Sequence, residues 1–250
     1  MKKNSSINKK NVFLRVAAVL TAAVMLLSAA ACSGKEENNT SSESPFTELK
    51  VEELDSELTN FLIRFTDWYE VEEGDKVAYD SEKAGDGKTN ILRSILGNAG
   101  CVEWSKYPVG ERKEVYNTRK LDPKKWAKDS NGAYIVFDSK GADWIATNIF
   151  NVTEDDIEVM REQGEQNKWF YLKGDKYYTV IYGVGDPLTE YTFDSAKTDG
   201  TVYYVNYSAS FNNGEEIIPK GSYSAEVQKK SIEGIDYWTL NKFEQTSEGE

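Results

Sequence analysis

TVYYVNYSASFNNGEEIIPKGSYSAEVQKKSIEGIDYWTLNKF, residues 201–243, decides the fold. In Thr201–Phe211, Tyr203, Val205, Tyr207, Ala209 and Phe211 fall on one face, and Val202, Tyr204, Asn206, Ser208 and Ser210 on the other. In Ser222–Ile232, Tyr223, Ala225 and Val227 oppose Ser224, Glu226 and Gln228. A period of two with one polar face describes antiparallel strands packed on one side only. Glu233-Gly234 separates Ser222–Ile232 from Ile235–Phe243, and Gly supplies the positive φ that a tight hairpin needs.

The same grammar extends backwards to Trp169. Asp199-Gly200 joins Thr189–Ala196 to Thr201–Phe211, and Lys173-Gly174-Asp175-Lys176 joins Lys168–Leu172 to Tyr177–Val184. This predicts a meander of about six strands, rich in the Tyr, Val, Ile, Thr and Trp that suit a pleated surface. Tyr177–Val184 is apolar on both faces and is expected centrally. Pro187 and Pro219 fall between strand candidates, where a missing N–H is tolerated. The tail after Gln245 (residues 246–250) is acidic and is expected to fray.

Residues 46–166 read mostly as helix. Leu54, Leu58, Phe61, Leu62, Phe65 and Trp68 form an amphipathic stripe within Phe46–Tyr69, with Glu48, Glu52 and Glu53 placed early, where the helix dipole favours acids. Phe61, Phe65 and Trp68 read either as core or as a ligand wall. Asp75–Lys88 reads as a loop. Thr89–Leu96 reads as a short helix stopped by Gly97-Asn98. Asp122-Pro123 reads as a helix start with Trp126 on its inner face. Ala133–Phe137 reads as a short strand or extended connector, and Asp138–Phe150 as helix. Thr153 caps a further helix through Glu162, expected to end at Gly164. Helices first, then an uninterrupted meander, is an α+β pattern: N-terminal helices on a strongly curved C-terminal antiparallel sheet, one domain over residues 46–245. This element order resembles the cone of the NTF2-like superfamily and the related cystatin-like arrangement.

Residues 1–31 read as a signal peptide. Lys2, Lys3, Lys9, Lys10 and Arg15 precede an apolar run, Val16–Leu27, that is short for a membrane span. Ser28-Ala29-Ala30-Ala31-Cys32-Ser33 follows, and it resembles the lipobox of bacterial lipoproteins. That resemblance implies diacylglycerol transfer to the Cys32 sulfur, cleavage before Cys32 and an acylated new terminus. The other reading is an ordinary secretory signal cut after Ala29-Ala30-Ala31. Residues 32–45 carry the cysteine and a Ser-, Asn- and Glu-rich tether, whose 12 or so flexible residues reach roughly 20 Å. The whole resembles cell-envelope lipoproteins of low-GC Gram-positive bacteria, which implies attachment to the outer face of the plasma membrane through two or three acyl chains.

Charge and composition exclude several partners and chemistries. The chain carries a formal net charge of −12, and residues 32–250 alone hold 25 basic and 42 acidic side chains, hence −17. Such a surface repels nucleic acid and anionic lipid. There is no histidine, which excludes a Ser-His-Asp triad, a Cys-His protease and any imidazole-ligated metal. Asp80, Glu82 and Asp86 fail the spacing of an EF-hand, and Gly85-Asp86-Gly87-Lys88-Thr89 lacks the first glycine of a phosphate loop. Glu154, Asp155, Asp156 and Glu158 read as a solvated first helical turn. With Cys32 acylated, Cys101 is the one thiol left to the domain, and its apolar context reads as buried and structural. No cofactor, metal or catalytic residue is assigned.

Three functions compete. The first is a non-enzymatic envelope module binding a small molecule, a glycan or a protein, with Tyr178, Tyr182, Tyr204 and Trp238 as the candidate aromatic face; these rings also read as core or cross-strand pairs. The second is an inhibitor or regulator of an extracellular hydrolase, steered to a basic partner by acidic charge. The third is an enzyme built on carboxylates or tyrosines, which needs two acids converging in a cleft.

Overall fold

The computed structural model describes residues 46–69, 77–83, 90–97, 100–110, 112–116, 133–167, 169–180, 189–212 and 214–248. The expected helix start at Asp122-Pro123, Pro187 and the whole of residues 1–45 lie outside them. Ser44–Glu250 forms one compact unit.

Two antiparallel sheets share the work that one meander was expected to do. The larger contains β7 (Thr189–Thr198), β8 (Val202–Asn212), β9 (Ile217–Ile232) and β10 (Ile235–Glu248), paired in that sequence. Short N-terminal strands complete it: β1 (Thr47–Leu49) on β7 and β2 (Ala78–Asp80) on β10. The alternation read from residues 201–232 is the alternation observed. Val205, Tyr207, Ala209, Tyr223, Ala225 and Val227 are buried, and the residues between them face outward. Both predicted turns close this meander. Gly200 has φ +96° and Gly234 φ +82°, and the Asp199 carboxylate accepts from the Thr201 and Val202 amides at 2.8 Å each.

The smaller sheet is ordered β3 (Arg112–Tyr116), β4 (Ala133–Asp138), β6 (Lys176–Val180), β5 (Phe170–Lys173). The first hairpin of the expected meander belongs here. β6 is interior, as its two apolar faces required, but to this sheet rather than to the large one. The reason is a long-range pairing: β6 finds β4 as its second neighbour, in register from Tyr134↔Val180 to Asp138↔Lys176.

Helix α1 (Ser56–Trp68) is shorter than Phe46–Tyr69 because residues 47–49 are taken up by β1. Asp55 caps it, accepting from the Glu57 amide at 2.8 Å. Leu58, Leu62 and Phe65 are fully buried on the large sheet, each burial stabilising by about 2 kcal/mol before entropy. Phe65 meets Phe243 edge-on at 5.0 Å and Phe150 at 5.6 Å, joining α1, β10 and α3 (Ser139–Phe150). Helix α3 packs against both β10 and β4, alongside α2 (Ile91–Ile95) and α4 (Glu154–Asn167). Among the described residues no helix is long and apolar enough to cross a membrane.

Three further expectations change. Gly164 lies inside α4 rather than ending it, because its bare Cα is where the buried ring of Phe170 fits. Pro219 sits within β9, opposite Ser210 beside a register shift at Ala209/Ser210, a bulge that spares the missing N–H. Residues 246–248 continue β10, Ser247 and Glu248 pairing with Ser222 and Gly221, instead of fraying.

Candidate functional site

A groove opens where α1, the segment 102–107 and the first four residues of β10 meet. It has a volume of about 260 Å³. Helix α1 contributes Glu57, Asn60, Phe61 and Arg64, which recur at three- and four-residue spacing and so share a helix face. β10 contributes Ile235, Asp236, Tyr237 and Trp238 just after the Glu233-Gly234 turn. A second hollow of about 430 Å³ adjoins it, sharing Arg64, Val102, Glu103 and Tyr107 and ending on Trp104, Arg112 and Phe137.

The segment between the two hollows is firmly held. Gly100 turns the chain with φ +71°, and its carbonyl accepts from Arg64 Nε at 3.1 Å. The Cys101 amide donates to Ser94 O at 3.0 Å, and the Cys101 side chain is fully buried, as its apolar context implied. The Lys106 amide donates to Glu103 O and the Tyr107 amide to Trp104 O, closing a 3₁₀ turn. Trp104 Nε1 donates to Gly110 O at 2.6 Å. A close approach makes room for this segment: a Cβ on Gly141 of α3 would come within 2.9 Å of Val109 and 3.1 Å of Trp104.

Rings form the floor. Tyr107 stacks on Tyr237 at 5.6 Å, and Trp144 of α3 meets Tyr237 edge-on at 5.8 Å. Burial pushes the Tyr107 hydroxyl well above the usual tyrosine range, so it is a neutral donor and acceptor. Trp238 is 7% exposed; Tyr203 meets it edge-on at 5.1 Å and Lys229 Nζ lies 5.4 Å from its ring centre. Its indole N–H is buried with no partner at hydrogen-bonding geometry. The neighbouring Asp55 carboxyl is pushed up by burial, but the Glu57 amide and Lys229 together hold it below the usual range.

Side chains of both signs ring the opening. Glu57, Glu103 and Asp236 are exposed acids, and Lys106 pairs with Glu103 at 3.3 Å. Among the described residues no group of three or more cysteines or acids is placed to hold a metal ion.

Of the aromatic face expected from sequence, Trp238 alone among the described residues lines this groove. Tyr178 lies in the other sheet, opposite Tyr171 on β5 and Val136 on β4. Tyr204 packs edge-on against Phe46 at 5.1 Å, with Lys197 5.7 Å from its ring. Tyr182 lies outside the described residues. Phe61 divides its role, half-buried against Phe150 at 6.4 Å while lining the groove. Sequence reasoning passed over Tyr107, although CVEWSKYPVG (residues 101–110) places two aromatic rings in a short Pro- and Gly-bearing segment.

Outside the groove, a half-buried acid on α3 sits in a closed network. Asp143 of α3 pairs with Arg161 of α4, and Arg161 Nε donates to the Tyr177 hydroxyl at 2.6 Å, which donates back to Asp143 at 3.2 Å. Burial raises the Asp143 carboxyl despite Arg161 and Tyr177. These groups satisfy one another and tie α3, α4 and β6 together. No family model, curated protein or solved structure matches the chain.

Proposed function

We propose that the mature chain is a non-enzymatic, lipid-anchored module of the extracytoplasmic membrane face, binding its ligand in the groove beside α1. The observation that carries the binding reading is the groove's construction: a floor of packed rings under exposed polar side chains, held by a braced turn. Concave sites with an aromatic floor and a few polar groups are where small ligands bind. Anchoring rests on residues 1–33, and it makes Cys32 the lipidated residue. The wrap of β7–β10 around α1 is read as the cone of the NTF2-like or cystatin-like arrangement. Register shifts at Phe193/Ser195, Ala209/Ser210 and Leu240/Lys242 support this reading, because bulges curve a sheet.

Topology joins the two halves of the proposal. The chain enters the folded unit at Phe46, and Thr47 pairs with Thr198 beside the Asp199-Gly200 turn. β10 begins at that same end of the sheet, so the groove and the first described residues of the chain share it.

Two experiments test the proposal. Detergent phase partitioning of the expressed full chain should find it in the detergent phase, and Cys32→Ser in the aqueous phase; equal partitioning would remove the anchor. A small-molecule and glycan screen by NMR should move the amides of Asn60, Tyr107 and Asp236 together. Ligands that bind elsewhere, or none that bind, would remove the groove.

A second reading, regulation of an extracellular hydrolase, draws on the far end of the sheet. Ile217 is 64% exposed and Ile218 38%, beside the acidic pair Glu215 and Glu216. If a purified basic hydrolase were inhibited by the wild type and not by Ile217→Asp, this reading would replace the first.

A further inference from the structure

We infer that the groove takes an uncharged, hydroxyl-rich glycan, with one ring above Tyr107 and Tyr237 and the chain continuing into the hollow beside Trp104. This rests on the binding reading above and gives it a ligand class.

Charge decides first. Three carboxylates, Glu57, Glu103 and Asp236, and two cations, Arg64 and Lys106, line the first hollow. A strong anion would face the acids, and a strong cation would face Arg64 and Lys106. Two of these charges already neutralise each other across 3.3 Å. Hydroxyls suit such a mixed rim, because each can donate to a carboxylate and accept from Asn60 or Lys106. The rings supply the complementary apolar contact, since the C–H face of a pyranose lies flat against aromatic carbon.

The backbone argues against an extended peptide. Along α1 the amides are bonded within the helix, and in the 103–107 wall those of Lys106 and Tyr107 close the 3₁₀ turn. What these two walls offer is side chains, which serve hydroxyls better than they serve a peptide's regular run of N–H and C=O groups. Size points the same way. About 260 Å³ lies just below the common range for drug-sized ligands, so the first hollow holds a single small unit. The adjoining 430 Å³ makes room for about one or two more rings.

The test uses the chain from Ser33 onward, which contains the whole compact unit Ser44–Glu250. It is titrated with neutral oligomers of glucose, mannose and N-acetylglucosamine of one to four rings. Binding is followed by calorimetry and by the fluorescence of the tryptophans, of which Trp104 and Trp238 line the hollows. Comparators are the cationic de-N-acetylated glucosamine oligomers, an anionic oligogalacturonate and an unstructured peptide. At least one neutral oligomer is expected to bind saturably, tightening about tenfold from one ring to three and then levelling. Asn60→Ala and Asp236→Ala, both exposed, should each weaken it about three- to tenfold with unchanged unfolding midpoints. Binding of only the charged oligomers or the peptide, lost in the same variants, would overturn the glycan and leave the groove standing. Neutral binding that both variants leave intact would overturn the placement of the glycan here. If no compound in the panel bound, the glycan would fall, and the small-molecule screen above would decide the groove.

Discussion

Gly164→Ala should destabilise the protein, although Ala is the better helix former. Gly164 lies inside α4, and a Cβ built on it would sit 2.1 Å from Phe170 Cζ and 2.2 Å from Cε1. Carbon atoms in contact prefer about 3.5–4.0 Å, so the ring would have to withdraw by roughly 1.4 Å or more. It has little room to do so. Phe170 is 2% exposed, it packs edge-on against Tyr177 at 5.2 Å, and the Trp169 amide is bonded to Gly164 O at 2.9 Å. The helix gains up to about 1 kcal/mol from the substitution. Overpacking a closed site costs about 1–3 kcal/mol and more where neighbours cannot move. The overlap is large, so the net loss is expected to be about 2 kcal/mol, or roughly 4–8 °C in Tm for a unit of this size. Urea unfolding followed by tryptophan fluorescence measures it. Phe170→Leu removes the clashing ring atoms, so Gly164→Ala should cost less in the Phe170→Leu background than in the wild type. A stabilised single variant, or strict additivity in the double variant, would show that the ring is not what excludes a side chain at position 164.

Three more perturbations probe other parts of the molecule. Glu233 adopts φ +54° in the β9–β10 turn, a left-handed conformation that costs most side chains about 1–2 kcal/mol, so Glu233→Asn should raise stability by up to about 1 kcal/mol in thermal unfolding. Lys176 at 2.8 Å outweighs burial and, with the Gly141 amide, holds the Asp138 carboxyl below its usual range. A depressed folded pKa contributes stability that is present above the unfolded value, about 3.9, and is lost as pH falls through the folded value. Asp138→Asn should therefore lose stability at pH 6 and show a shallower decline towards pH 2.5 in urea titrations. Arg161→Ala leaves Asp143 half-enclosed without its cation, and a loss of about 2 kcal/mol, between the surface and buried limits, is expected at pH 7. Burial already raises Asp143, and removing Arg161 raises it further, so the unfolded state ionises more readily than the folded one. The deficit of the variant should shrink as pH falls, and Asp143→Asn should restore part of the loss; a deficit independent of pH would mean that lost packing, not charge, sets it.

What was legible in the chain follows from how local each determinant is. β8 and β9 were readable from alternation, and β10 from the turn glycine before it, because both signals act between sequence neighbours. The α1 stripe was readable for the same reason at a helical period. Sheet membership was not, since β6 pairs with β4 across about 40 residues and nothing in Tyr177–Val180 announces that partner. β1 and β2 are only three residues long, and each depends on an edge that β7 or β10 provides. Gly164 shows the limit most plainly. A glycine near a helix end carries the same letter whether it stops the helix or admits a ring from the next strand.

The candidate site was less legible than the fold because its residues have ordinary local reasons to exist. Glu57 belongs to a helix N-terminus, where acids are favoured, and Phe61 to an amphipathic stripe; Tyr237 belongs to the buried stretch of β10. Only the crossing of α1 with the 102–107 turn brings them to one opening, and that crossing is fixed by contacts of long range: Arg64 to Gly100, Tyr107 to Tyr237, and Lys229 to Asp55 at 3.4 Å. The aromatic face expected from Tyr178 and Tyr204 was drawn from strand composition, which says that a ring is present and not which sheet it joins. Tyrosines at regular strand spacing therefore identify sheet, while rings in short irregular segments such as residues 101–110 are the better guide to an opening. In such a segment no ladder neighbour explains the ring, and here that segment carries Tyr107 and Trp104 to the two hollows.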